Sequence, residues 1–264
     1  MKPFLKWAGG KRWLSGHDLF NGSLNYDRYI EPFLGGGAIF FSLNPKTSVL
    51  SDINPELINL YSVIRDYPEE LLKLMTSHHR NHSKEYYYVE RSRIYSSKIE
   101  RAARTLYLNR TCFNGLYRVN LKGEFNVPIG TKSSVLMKDD DFLGISKRLQ
   151  NATLEVSDFE ITIDLARDGD LVYVDPPYTV LHNMNGFVKY NDKIFSWEDQ
   201  IRLRDSVVAA AGRGAHVLLS NADHPSVRDL YSKLGNTIQV PRKSVISGSA
   251  GSRKSTTEIL VTIR

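Results

Sequence analysis

Asp175-Pro176-Pro177-Tyr178 follows the apolar run Leu171-Val172-Tyr173-Val174, and its residues have separable chemical tasks. The Asp175 carboxylate can accept one hydrogen of an amine. A carbonyl held by Pro176-Pro177 can accept the other, because proline fixes its own backbone angle and restrains the residue before it. Two acceptors so placed draw an amine towards tetrahedral geometry and free its lone pair for attack on a methyl group. Tyr178 offers an aromatic face on which a purine can stack. The competing reading is a strand end with a proline turn and a packed tyrosine, and signals further upstream favour the chemical one.

Those signals begin where Tyr29-Ile30-Glu31-Pro32-Phe33 runs into Leu34-Gly35-Gly36-Gly37. Glycines at the carboxyl end of a first strand let backbone approach a ligand closely, where open α/β sheets bind their cofactors. Alone, the turn falls short of the six-residue dinucleotide fingerprint and also fits a tight turn with no ligand. Asp52 ends the next β-type run, Ser48-Val49-Leu50-Ser51, where a carboxylate can accept hydrogen bonds from both ribose hydroxyls of an adenosyl group. Together the two features favour an adenosine-containing cofactor. Lys6-Trp7-Ala8-Gly9-Gly10-Lys11 suits an anionic or aromatic ligand, and as an isolated hexamer it also suits a flexible tail.

A sheet must hold these residues. The stretch 29–41 reads as strand, glycine turn and helix, and 48–52 as a second strand with a helix over about 56–65 behind it. Successive βα units predict a parallel, doubly wound α/β sheet. Over 68–110 the pattern turns helical and rich in Lys, Arg, His and Tyr, so the sheet is interrupted. Asn114-Gly115, Lys122-Gly123 and Pro128, set among alternating apolar residues, predict a β-hairpin over 114–130. The sheet resumes at 152–156, 170–174 and 215–220, the last after a helix over about 197–211. It closes with Gln239-Val240 and 259–263, joined by a Ser/Gly-rich basic loop. The expected division is a catalytic domain from 1–55 and 138–264, with 56–137 inserted as a target-recognition region.

Composition sets the outer bounds. At 264 residues and 41% hydrophobic, the chain can bury one sizeable core plus an insertion. A net charge of +6 favours a polyanionic partner, although basicity alone is weak evidence. Cys112 is the single cysteine, which excludes a disulfide framework and a multi-cysteine zinc site; packing is its expected role. His78, His79 and His82 point in different directions on a helix and lack partners at metal-site spacing, so no metal is expected. Tyr86-Tyr87-Tyr88 is expected to pack the inserted helices. No apolar run reaches spanning length, and the first residues lack a secretory pattern. The expectation is therefore a cytoplasmic, nucleoid-associated protein with no membrane contact and no obligate protein partner.

KWAGGK, EPFLGGG, SDIN, NRTCFNGLYRVNLKGEFNVPIG and DPPY follow one another in this order and resemble the Dam-type DNA adenine methyltransferases of the D12 class, alpha group. The resemblance runs over nearly the whole chain. It implies the class I S-adenosylmethionine-dependent methyltransferase fold, a Rossmann-like sheet of seven strands with an inserted helical and β-hairpin DNA-recognition region. It also implies S-adenosylmethionine as cofactor, double-stranded DNA as partner and methylation of the exocyclic amine of adenine, with GATC as the favoured site. Base flipping and direct transfer complete the implied mechanism.

Residue by residue, Trp7 and Lys11 resemble the family's amino-terminal cofactor contacts, and Phe33, Gly35 and Gly37 its cofactor loop. Asp52 matches the ribose-binding acid, and Asp158-Phe159 is similar to the segment flanking the cofactor's adenine. Asp175 stands where a residue meets both cofactor and target amine. Arg118 occupies the place of an arginine that reads guanine, a task suited to a guanidinium that bonds both acceptors on that base edge. Phe113 matches an aromatic wedge; Asn114, Leu116 and Pro128 match positions near DNA, and Lys6 a contact to the first base pair. Arg242, Lys243 and Ser244, with Arg253 and Lys254, resemble a phosphate-contacting loop, for which a plain flexible loop is a near-equal reading. Thr131-Lys132 departs from the arginine and tyrosine of some GATC-specific members. Amine methyltransferases acting on cytosine, RNA or protein amides more often open the tetrapeptide with Ser or Asn, so Asp175 favours adenine. A DNA-binding relative without catalysis is the rival from another class, and the full set of cofactor residues argues against it.

Overall fold

A computed structural model of the chain describes residues 1–17, 20, 25–120, 122–180, 195–243 and 255–264. Its strands are β1 (Arg28–Glu31), β2 (Ser48–Asp52), β3 (Ala152–Val156), β4 (Asp170–Val174), β5 (His216–Ala222), β6 (Asn236–Lys243) and β7 (Ser255–Ile263). They form one sheet in the order β3-β2-β1-β4-β5-β7-β6. β1 pairs in parallel with β2 and β4, with Ile30 opposite Val49 on one side and Val172 on the other. β4 and β5 are also parallel, while β7 runs antiparallel to both β5 and β6. All five residues of β4 are buried, as expected for a central parallel strand covered on both faces. The strand order reverses between β1 and β4, and ligands of open α/β sheets bind in the crevice at such a switch point. This order, with its one antiparallel strand, is that of the class I methyltransferase fold.

The helices are α1 (Ala38–Leu43), α2 (Pro55–Asp66), α3 (Pro68–Asn81), α4 (Lys84–Ser92), α5 (Lys98–Thr111), α6 (Phe142–Leu149), α7 (Phe159–Asp164), α8 (Trp197–Gly212) and α9 (Pro225–Tyr231). None of them is long and apolar enough to cross a membrane. The chain divides into two compact units.

Unit 1 comprises Met1–Gly22, Leu34–Asn44 and Asp52–Val156, and contains the expected insertion 56–137. Asn54 caps α2 by accepting from the Glu56 and Leu57 amides, and Pro55 occupies the first helical position, where its missing N–H costs nothing. Leu57, Leu60, Tyr61 and Ile64 of α2 are buried at helical spacing. Arg110, at the end of α5, donates to both oxygens of Asp140 at 2.6 Å and to the Val135 carbonyl at 2.9 Å. A buried guanidinium left without its carboxylate is costly. Asp140→Ala is therefore expected to lower stability by about 3–5 kcal/mol, read from the midpoint and slope of chemical denaturation.

The expected hairpin over 114–130 is not a pair of regular strands. Among the described residues its limbs pair antiparallel through two single bridges, Cys112 with Ile129 and Val119 with Phe125, and through backbone hydrogen bonds such as Asn126 N to the Arg118 carbonyl. Phe113–Gly115 is instead a 3-10 turn in which Asn114 and Gly115 both take positive φ, and this turns the first limb out of strand geometry. Asn120 closes the tip by accepting from the Lys122 and Glu124 amides at 2.9 and 3.0 Å.

Unit 2 comprises Ser23–Phe33, Pro45–Ser51 and Ser157–Arg264. Its core joins Ile30, Val172, Val174, Val217, Leu219 and Val261 of the sheet to Leu203, Val207 and Ala210 of α8. α8 starts at a capping box, in which the Ser196 hydroxyl accepts from the Asp199 amide and the Asp199 carboxylate accepts from the Ser196 amide.

Candidate active site

In unit 1 the site residues converge on the glycine turn after β1. Gly35 N donates to Asp52 Oδ2 at 3.0 Å and Asn54 N to Asp52 Oδ1 at 3.0 Å, so two backbone amides fix the carboxylate at the end of β2. Burial raises the Asp52 carboxyl above its ordinary value, and the two amide hydrogen bonds oppose that shift. The Tyr61 hydroxyl donates to the Gly35 carbonyl at 3.1 Å. Gly35 has φ +47°, and a Cβ there would lie 2.8 Å from the Trp7 indole, so both conformation and space call for glycine. Gly37, at φ +63°, would place a Cβ 2.9 Å from the Tyr61 hydroxyl. Lys11 is buried, with its ammonium donating to the Gly9 carbonyl at 3.0 Å.

Asp52 is thus a half-buried carboxylate met by amides, with no cation paired to it among the described residues. Each carboxylate oxygen has a further lone pair. Neutral hydroxyl donors, as in a ribose diol, fit that arrangement, and an anionic phosphate does not.

The same unit carries Lys6, Phe113, Asn114, Leu116, Arg118 and Pro128, expected to meet DNA. Asn109 grips the backbone of Lys6 from both sides, accepting from its N–H at 3.1 Å and donating to its carbonyl at 2.7 Å. The Lys6 ammonium is pulled down to about 8 by the neighbouring Lys132 side chain and by burial. Phe113 is 50% exposed. Asn114, Arg118 and Pro128 are also exposed, and Leu116 is half-buried. Arg118 Nε donates to Asn126 Oδ1 at 2.8 Å, which braces its guanidinium across the turn.

In unit 2, Phe33 stacks on Phe159 with centroids 5.4 Å apart, and Phe195 meets both rings edge-on or tilted. Asp158 is the N-cap of α7, accepting from the Glu160 amide at 2.9 Å and from Arg202 at 3.0 Å. Arg202 also reaches Asp199 and Glu160 and lies 4.8 Å above the Phe159 ring, so one guanidinium holds this corner together.

Parallel register decides what meets the tetrapeptide. Val174 pairs with Leu219, so the next residue of each strand, Asp175 and Ser220, emerge side by side. Ser220 Oγ lies 2.9 Å from Asp175 Oδ1 and 3.1 Å from the Tyr173 hydroxyl. A serine hydroxyl has one proton; when it is given to Asp175, Ser220 accepts from Tyr173, and the three groups form one directed chain. Pro176 is buried, and Pro177 and Tyr178 are half-buried. Tyr178 is held well above its ordinary value by burial, then by the charges of Asp175 and Glu258.

Arg242 Nη1 donates to the buried Glu258 carboxylate at 2.5 Å, an internal pairing across β6 and β7 that the phosphate-loop expectation did not include. Lys243 is the last residue of β6. Ser244, Arg253 and Lys254 lie outside the described residues. Ser220, Asn109, Tyr61 and Arg202 went unread in the sequence. The partners that tie them to the site are distant in the chain: Asn109 is 103 positions from Lys6, Ser220 45 from Asp175, Arg202 44 from Asp158 and Tyr61 26 from Gly35. Cys112 is buried and its thiol is pushed up to about 11 by burial, which leaves little thiolate for chemistry at neutral pH. His78 and His82 bond the hydroxyls of Tyr86 and Tyr107 at 2.8 and 2.9 Å.

Comparison with known proteins extends these observations over the full chain. The model of the D12 class N6 adenine-specific DNA methyltransferases matches residues 7–246, from Trp7 to beyond the tetrapeptide. The type II methyltransferase M1.LlaDCHI of Lactococcus lactis subsp. cremoris is 42% identical, over 99% of this chain and 95% of its own. The type II methyltransferase M.MjaIII of Methanocaldococcus jannaschii is 36% identical, over 96% of each. The DNA adenine methylase of Escherichia coli K12 is 32% identical, over 98% of this chain and 94% of its own. A match that takes in both halves of the sheet and the segments that follow its strands leaves one conclusion: the chain belongs to the D12 class of N6 adenine-specific DNA methyltransferases.

Proposed function

We propose that this enzyme transfers a methyl group from S-adenosylmethionine to the exocyclic amine of an adenine in duplex DNA, by direct transfer to a base rotated out of the helix. The observation that carries the reading is Asp175, held by Ser220 at the head of two prolines and a tyrosine. Asp175 accepts one amine hydrogen and a carbonyl fixed by Pro176 and Pro177 accepts the other, while Tyr178 stacks on the purine. The cofactor, when bound, supplies an electrophilic methyl on a sulfonium. Asp175 and the proline-fixed carbonyl would hold the amine with its lone pair towards that methyl, and the proton the amine gives up on methylation would leave to water. Positive charge develops on the nitrogen during this step, and the carboxylate and carbonyl stabilise it without an intermediate bound to the protein.

Asp52 takes the ribose hydroxyls, Trp7 and Lys11 contact the cofactor from the amino terminus, and Gly35 and Gly37 shape the loop against it. Phe33, Asp158 and Phe159 flank its adenine, with Asp158 held in its capping role. Residues 56–137 form the target-recognition region on a catalytic domain built from 1–55 and 138–264. Within and beside it, Lys6, Phe113, Asn114, Leu116, Arg118 and Pro128 face DNA, and Lys243 and Arg253 meet phosphates. Arg242 acts there only if it leaves Glu258. The enzyme works in the cytoplasm on nucleoid DNA, and GATC is the target.

Removing the Ser220 hydroxyl takes one hydrogen-bond donor from Asp175 Oδ1. Ser220→Ala is expected to lower kcat by roughly ten- to a hundredfold, with cofactor and DNA affinity little changed, as single-turnover kinetics and titrations will show. Arg118→Ala is expected to relax discrimination at one base pair by about 1–3 kcal/mol, measured as relative kcat/KM on duplexes substituted at each position. Mapping methylated sites on plasmid DNA from a methylation-free host tests the whole reading: methyladenine confined to GATC supports it, and modification at another sequence rejects the target.

A further inference from the structure

Trp7 and Tyr117 stack with ring centroids 5.4 Å apart and planes 28° from parallel. The two rings come from segments with different tasks, since Trp7 belongs to the cofactor motif and Tyr117 immediately precedes Arg118. Elsewhere the indole lies against the glycine turn, close enough that a Cβ on Gly35 would sit 2.8 Å from its Cδ1 and one on Gly36 3.4 Å from the Trp7 Cβ. Gly35 is in turn bonded to Asp52. Tyr117 also meets Phe125 at 5.8 Å, on the opposite limb of the turn that presents Arg118. Asn109 pins the residue before Trp7 and donates to the Gly115 carbonyl at 3.3 Å, so neither ring is carried by a loose segment. Asp52, Gly35, Trp7, Tyr117 and Phe125 therefore form a continuous row within unit 1, from the ribose acid to the base-reading turn.

We propose that Tyr117 is a positioning residue that couples cofactor binding to DNA recognition. A cofactor seated against Trp7 fixes the plane on which Tyr117 stacks, and Tyr117 then holds the adjoining Arg118 in register with its base. This rests on the assignment of Trp7 and Asp52 to the cofactor and of Arg118 to a base. Linkage requires the effect to be reciprocal: the factor by which DNA tightens cofactor binding equals the factor by which cofactor tightens DNA binding. An aromatic stack of this kind supports a factor of roughly 2 to 10. Contiguity alone does not establish coupling, so the factor itself is the readout.

The test uses S-adenosylhomocysteine, which carries no transferable methyl, and a duplex fragment that the wild-type enzyme methylates. Its dissociation constant is measured by calorimetry with and without the duplex for the wild type, Tyr117→Phe and Tyr117→Leu. Expected are a wild-type factor in the stated range, the same factor for Tyr117→Phe, and a factor near one for Tyr117→Leu, whose affinity in the absence of DNA stays close to wild type. A Tyr117→Leu enzyme that keeps the wild-type factor overturns the proposal, as does a wild-type factor of one. If Tyr117→Leu does not fold, Tyr117→Met supplies the same comparison. Failure of the underlying assignment looks different: Asp52→Ala then leaves S-adenosylhomocysteine affinity unchanged.

Discussion

Asp175→Ala is expected to lower kcat for methyl transfer by about a hundred- to a thousandfold, with DNA and cofactor still bound. The carboxylate meets an uncharged amine in the ground state and a nitrogen gaining positive charge in the transition state. An interaction that strengthens along that path accelerates the step rather than merely holding substrate. The loss should therefore fall on kcat rather than KM. Ser220 acts through Asp175, to which its hydroxyl lies 2.9 Å away, so Ser220→Ala should cost little more once Asp175 is already alanine. Full additivity of the two losses would mean that Ser220 has a task of its own. Near-normal turnover in Asp175→Ala would reject the assignment.

The second large effect is at Asp52, where Asp52→Ala is expected to weaken S-adenosylmethionine binding by roughly a hundredfold. In the proposed role the side chain gives two ribose hydroxyls a charged acceptor; it also holds the Gly35 and Asn54 amides, so its loss loosens the turn proposed to bear the cofactor. Burial raises its carboxyl above the ordinary 3.8. The sign of its contribution to stability follows. With the folded value above the unfolded one, Asp52 favours the folded state below the unfolded value, and that contribution is lost as pH rises through the folded value. At neutral pH the ionised group is therefore a cost to folding that binding retains. Cofactor affinity should weaken on acidification with a midpoint above 3.8, a limb that Asp52→Asn should abolish. Titration of the cofactor across pH in both proteins reads this directly, and an unaltered limb in Asp52→Asn would assign the effect to another group.

Much of the sheet was legible because β2 and β4 are short apolar runs ending in a carboxylate, and α8 has both a capping box and buried residues at helical spacing. α6, α7 and α9 were not read. Each is eight residues or fewer and owes its start to a side-chain cap, from Asp141, Asp158 and His224. A single cap leaves too faint a periodic trace. Asp158 shows the consequence: the sequence offered it as a candidate cofactor residue, and its capping bond to the Glu160 amide left no local trace. The hairpin's two limbs were legible from apolar alternation, but their irregularity was not: the positive φ of Asn114 and Gly115 interrupts the first limb, while the limbs still pair antiparallel.

Within the site, the groups proposed to do chemistry stand in motifs that the sequence itself displays. The groups that hold them do not. Ser220 reaches Asp175 through the register of two parallel strands, and Asn109 reaches Lys6 across most of unit 1; neither pairing leaves a local signature. Tyr61 bonds the glycine turn from a helix whose pattern announced only burial.

The most direct measurement is to incubate the enzyme with methyl-labelled S-adenosylmethionine and unmethylated duplex DNA, digest the product to nucleosides and identify which one carries the label. Label in N6-methyldeoxyadenosine, at a rate that collapses in Asp175→Ala, is the predicted result. Label in a methylated cytidine, or in N6-methyldeoxyadenosine at an equal rate in both proteins, would contradict it.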